Sequence, residues 1–148
     1  MKEDEINKIF ARYTRQLIKK LDKKALWSDT IDQNGERLFG KMWRGCHAHD
    51  NIKLENGYQI LNTASSKAKK GIHWVAIYIT PATIYVYDSF GRDTDSVLKS
   101  LKKGKGKRKI VESKRDSEQT DTSQICGHLC IAWLLCVQKL GIRYALKI

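Results

Sequence analysis

The run HWVAIYITPATIYVY, residues 73–87, decides how this chain folds. HWVAIYI (73–79) and TIYVY (83–87) are nearly continuous apolar, β-branched and aromatic segments. Pro81-Ala82, inside Thr80 and Thr83, breaks them. This composition predicts a β-hairpin. A two-residue loop makes paired residue numbers sum to 163, so His73 faces Phe90 and Asp88 faces Val75. Period-2 alternation then puts His73 and Asp88 on one sheet face as diagonal neighbours, with Cα atoms roughly 7–8 Å apart. A four-residue loop keeps this relation, and a three-residue loop reverses the facing. His73 and Asp88 therefore read either as a hydrogen-bonded histidine–carboxylate pair or as a strand-end histidine and a solvated turn aspartate.

Outward from the hairpin, the chain changes period. Ile6, Ile9, Phe10, Tyr13, Leu17 and Leu21 recur at helical spacing, which predicts an amphipathic helix over 5–24 with a basic outer face. Residues 28–57 carry scattered glycines and read as loops with short elements. YQILNT (58–63) fits a short helix or a strand. Residues 96–101 suggest a short helix. KKGKGKRK (102–109) offers nothing for a core and is expected as an exposed, mobile loop. A strand and its exit follow over 110–118. Residues 126–140 are apolar nearly all round, predicting a buried helix that ends at Gly141.

The chain has 148 residues, the size of one domain with a sufficient core. No apolar stretch is long enough to span a bilayer. The N-terminal MKEDEINKIF lacks the apolar block and cleavage site of a secretory signal. Four cysteines without a repeated CxxC pair suggest free thiols in a reducing compartment. The 28 Lys plus Arg against 16 Asp plus Glu leave a formal charge of +12, which either serves solubility alone or attracts polyanions, nucleic acid first and an anionic membrane surface second. Between Lys99 and Arg115 there are nine basic residues and one acidic residue, Glu112.

Cys126 stands where a loop meets a helix. Free N–H groups and the helix dipole there favour negative charge, which suits a nucleophilic thiol. The same residue also reads as a packed small hydrophobe, the reading given to Cys130 and Cys136. Gly127 lets a substrate approach the backbone. Gln119 and Gln124 each read either as an amide suited to an oxyanion hole or as a surface loop residue. CHAHD (46–50) gathers Cys46, His47, His49 and Asp50, but a single cluster without a second ligand pair reads as a polar loop, not a metal site.

Taken together, GIHWVAIYI, YVYDSFG and QTDTSQICGHLCIAWLL resemble the adenovirus-type maturation cysteine proteases. They also resemble the wider clan that cleaves ubiquitin-like proteins. The shared pattern is Gly-x-His-Trp, a carboxylate ending the next strand before x-Phe-Gly, then Gln, six residues and Cys-Gly-x-x-Cys. It covers roughly residues 60–140. The resemblance implies one α+β domain over 1–148, a central mixed sheet flanked by helices, with the cysteine at the N-terminus of a buried helix. It implies Cys126 as nucleophile, His73 as base and acid, and Asp88 as the orienting carboxylate. Gln119, preferred over Gln124 by its distance from the cysteine, is the implied oxyanion donor. Trp74 would flank the substrate cleft, with Gly127 beside it. Asp replaces the adenoviral Glu at the acid position, as in the proteases of ubiquitin-like modifiers.

The implied activity is cleavage of viral capsid and core precursors after Gly-Gly or Gly-x sites, within the virion and the infected cell. DNA is the expected partner, through Lys102, Lys103, Lys105, Lys107, Arg108 and Lys109. An activating peptide is a second possible cofactor. No metal or other cofactor is required, no membrane partner is expected, and a monomer is expected. Two other activities fit the same residues. One is deconjugation of ubiquitin-like modifiers; the other is DNA binding without catalysis.

Overall fold

The computed structural model describes residues 1–21, 26–63, 73–89, 95–113 and 125–148. The hairpin forms as expected. β3 (Trp74–Ile79) and β4 (Thr83–Tyr87) pair antiparallel through Ala76–Tyr87, Ile77–Val86, Tyr78–Tyr85 and Ile79–Ile84. The turn is closed by the Thr80 N–H on the Thr83 carbonyl at 2.8 Å. The Thr80 hydroxyl also takes the Thr83 N–H at 3.0 Å.

Three further strands complete a five-stranded mixed sheet of order β1-β2-β3-β4-β5. β2 (Gly57–Asn62) runs antiparallel to β3. β1 (Trp43–Ala48) runs parallel to β2, and β5 (Lys109–Glu112) runs parallel to β4. YQILNT is thus strand. Its Asn62, like Gly57 just before it, is a poor strand former, but β-propensity spans only about 1 kcal/mol. Burying Ile60 and Leu61 fully contributes about 1.5–3 kcal/mol each. Packing therefore wins. The buried Gln59 amide is satisfied by the backbone of Lys53, donating to its carbonyl and accepting from its N–H.

Both faces of the sheet are covered. On one, Leu61, Val75, Ile77, Ile79, Ile84 and Val86 pack with Val97 and Leu101 of α3 (Asp95–Gly104). On the other, Tyr58, Ile60, Ala76 and Tyr87 meet α1 (Glu3–Lys20), α2 (Ser28–Phe39), α4 (Cys126–Leu140) and α5 (Ile142–Ala145). Trp133 of α4 stacks on Tyr87, centroids 5.3 Å apart, and Phe10 of α1 meets the same ring edge-on at 6.0 Å. α4 spans 126–140 as expected. It stops at Gly141, whose φ of +93° turns the chain while its N–H bonds the Val137 carbonyl.

Two expectations need correction. Residues 28–57 are not mainly loop: α2 is a twelve-residue helix. Its pattern is hidden because Gly35 sits in its middle, where the Trp43 indole lies so close that any Cβ would collide with it. Residues 102–109 are not one loop either. Val97 and Leu101 anchor α3, which continues through Lys102 and Lys103. Gly104 packs on Leu54, and a turn through Gly106 leads into β5 at Lys109. Apolar residues on either side thread the basic segment into the fold. Among the described residues, no helix is long and apolar enough to cross a membrane.

Candidate active site

His73 lies immediately before β3 and Asp88 immediately after β4, so both sit at the end of the hairpin away from its turn. The His73 carbonyl accepts the Thr63 N–H at 2.9 Å, which ties this point to the end of β2. Both side chains are nearly inaccessible, 3% and 6% exposed. His73 Nε2 donates to Asp88 Oδ1 at 2.5 Å. The pairing expected from the register is therefore made.

Cys126, the first residue of α4, lies close enough to His73 to raise the pKa of its imidazole. With Nε2 on the carboxylate, Nδ1 is the nitrogen left to face the thiol. Burial on its own pushes the imidazole pKa down. The hydrogen bond to Asp88, the nearby Cys126 thiol and the charges of both overcome this and raise it to about 9. Cys126 is half-buried at a helix N-terminus whose first turn carries no acidic residue. The positive end of the dipole is thus left for the sulfur and for whatever binds beside it.

The other three thiols are held protonated. Burial pushes Cys46 and Cys136 up to about 12, with Asp32 adding to the shift at Cys46. Cys130 is raised well above its ordinary value by burial first and then by Cys126, Asp88 and Cys46. Its thiol donates to the Trp74 carbonyl at 3.3 Å.

The walls of the site are built by α2 and the chain before it. Trp74 is half-buried, and its Nε1 donates to the Leu26 carbonyl at 3.2 Å. A Cβ on Gly127 would lie 3.3 Å from both Leu26 and Ile31. This gives Gly127 a packing reason, with its Cα closed off on that side by two apolar side chains. Next to Leu26 is Trp27, 79% exposed, the most exposed of the large apolar side chains described. Sequence reading passed over it. The available signal was an indole standing alone between Leu26 and the polar start of α2.

The remaining candidates separate clearly. Gln119 and Gln124 lie outside the described residues. The CHAHD residues point apart. Cys46 packs on the core, His47 Nε2 bonds the Arg44 carbonyl at 2.7 Å, and His49 Nδ1 bonds the Ser100 hydroxyl at 2.7 Å. Among the described residues no group of three or more His, Cys, Asp or Glu is placed to hold a metal ion.

Of the six basic candidates, Lys102, Lys103, Lys107 and Lys109 are exposed. Lys105 and Arg108 are half-buried and build the turn. Lys105 Nζ donates to the Arg108 carbonyl at 3.3 Å, and Arg108 Nε donates to the Thr80 carbonyl at 3.0 Å. The backbone of Lys109 bonds Ala82. The basic surface thus sits at the turn end of the hairpin. His73 is seven residues away along β3, roughly 20 Å at a strand's rise per residue. No family model matches this chain, and no curated protein matches it significantly.

Proposed function

We propose that this chain is a cysteine endopeptidase with a Cys126–His73–Asp88 triad, on the fold of the adenovirus-type maturation proteases. One observation carries the reading. A half-exposed thiol at a helix N-terminus lies beside a buried histidine that is hydrogen-bonded to a buried carboxylate. Those are the parts that nucleophilic thiol catalysis requires, side by side and in order.

The chemistry follows from the geometry. His73 takes the Cys126 proton, and Asp88 steadies the resulting imidazolium. The thiolate attacks the scissile carbonyl. The oxyanion is received by the Cys126 backbone N–H and, as the family resemblance implies, by the Gln119 side chain. His73 then delivers the proton to the departing amine, leaving an acyl-enzyme. Water, deprotonated by His73, releases the acid and restores the thiol. Trp74, bonded to the Leu26 that packs beside Gly127, is the residue proposed to flank the substrate cleft. The substrates are viral capsid and core precursors cut after Gly-Gly or Gly-x, in the virion and infected cell, where a free thiol survives. The enzyme works as a monomer. DNA held on Lys102, Lys103, Lys107 and Lys109 keeps it near packaged substrates, and an activating peptide is a further candidate cofactor.

The aspartate at position 88 also favours a second reading, deconjugation of ubiquitin-like modifiers, whose proteases share that acid. The test is cleavage of a peptide library and of intact modifier conjugates by wild type and Cys126→Ala, with and without DNA. Wild type should cut Gly-Gly and Gly-x peptides, leave the conjugates largely intact, and lose all cleavage in Cys126→Ala. Undiminished cleavage by the variant would refute the triad. Preference for conjugates would select the second reading.

A further inference from the structure

The outer face of α1 carries a feature that cleavage does not use. Lys8, Arg12, Arg15 and Lys19 are all exposed. At 3.6 residues per turn they fall within an arc of about 60°, roughly opposite the buried stripe of Ile6, Phe10, Thr14 and Leu17. They form a straight ridge about 16 Å long at 1.5 Å per residue. Asp4 and Glu5 are confined to the first turn, where the helix dipole favours them, so the ridge beyond them is purely basic. Arg12 also lies over the Tyr13 ring at 5.7 Å. α5, packed against α1 and α4, and the turn after it add exposed Arg143 and Lys147 to the same layer.

The ridge and the Lys102–Lys109 surface lie on opposite sides of the sheet. α1 belongs to the layer over Tyr87, and α3, which leads into the basic turn, belongs to the layer over Ile84 and Val86. We infer that α1 is a second, sequence-independent nucleic-acid surface, and that one molecule bridges two DNA segments. A duplex presents on the order of ten phosphates along the length of this ridge. The ridge carries no base-reading array, so its contacts are to the backbone. A bilayer fits less well, because the apolar face that would enter it is occupied by the core. The bridge rests on the proposed DNA contact of Lys102–Lys109; the α1 surface does not.

The test uses short duplexes labelled with donor or acceptor dye, read by energy transfer between duplexes and by anisotropy of one duplex. One variant carries Lys8→Gln, Arg12→Gln, Arg15→Gln and Lys19→Gln. The other carries Lys102→Gln, Lys103→Gln, Lys107→Gln and Lys109→Gln. Wild type should bridge. The α1 variant should lose bridging roughly tenfold or more, with the salt slope of bridging lowered by about 3.6, while still binding a single duplex through Lys102–Lys109. Its peptide cleavage should not change. Undiminished bridging by the α1 variant overturns the inference, as does α1-dependent binding of phosphatidylserine vesicles without α1-dependent binding of DNA. If wild type binds one duplex through α1 alone and never bridges, the α1 surface stands and the reading of Lys102–Lys109 fails.

Discussion

His73 is buried between an acid and a thiol, and its protonation is coupled to folding. Its folded pKa, about 9, lies above the ordinary histidine value of 6.5. The stabilisation is therefore fully present below about pH 6.5 and is lost as pH rises through about 9. It is on the order of 3 kcal/mol for a group this buried. Denaturant unfolding across that window should show stability falling in wild type and a flatter profile in Asp88→Asn. The same variant should lose most of its peptide cleavage, since the imidazole then lacks its orienting charge. A stability profile identical in the two proteins would show that the short His73–Asp88 bond has no such effect.

At the scale of the element, α2 tests packing against propensity. Replacing glycine by alanine within a helix ordinarily gains about 1 kcal/mol. At Gly35 the added methyl meets the Trp43 indole, and that ring has little room to retreat. Its Nε1 donates to Asp32 at 2.7 Å, and it stacks on Phe39 with centroids 5.9 Å apart. Overpacking costs typically about 1–3 kcal/mol, so the sign should reverse. Gly35→Ala is expected to lower the thermal midpoint. A raised midpoint would mean that the indole moves freely.

For the whole molecule, the hairpin separates two tasks. The proposed Cys126–His73–Asp88 trio sits at one end and the basic turn at the other, roughly 20 Å apart along the strands. Neutralising Lys102, Lys103, Lys107 and Lys109 should leave cleavage of a short peptide within about twofold of wild type, because a charge at that distance is screened beyond a Debye length at physiological salt. Cleavage of a substrate bound to DNA should fall, and the loss should shrink as salt rises. Equal losses on both substrates would place the lysines' effect in the fold rather than in DNA attachment.

Much of this arrangement is written locally. Pro81-Ala82 between two β-branched runs determines the hairpin and its register, and that register alone brings His73 level with Asp88. The all-round apolar run after Cys126 determines a buried helix, and Gly141 its end. These are short-range matters of turn length, period and backbone freedom. Other features depended on partners distant in sequence. α2 is hidden by Gly35, which makes sense only against Trp43, and β2 is a strand because both its faces are covered. The Lys102–Lys109 segment, polar along its whole length, is ordered by apolar neighbours on either side of it. The meeting of His73 with Cys126 is of this second kind. Period-2 alternation points His73 and Asp88 toward the α3 side of the sheet, whereas α4 covers the other side. His73 comes near the thiol because it and Asp88 lie just past the ends of their strands, where α4 begins. Only the packing of that helix across the sheet's end joins residues 53 positions apart.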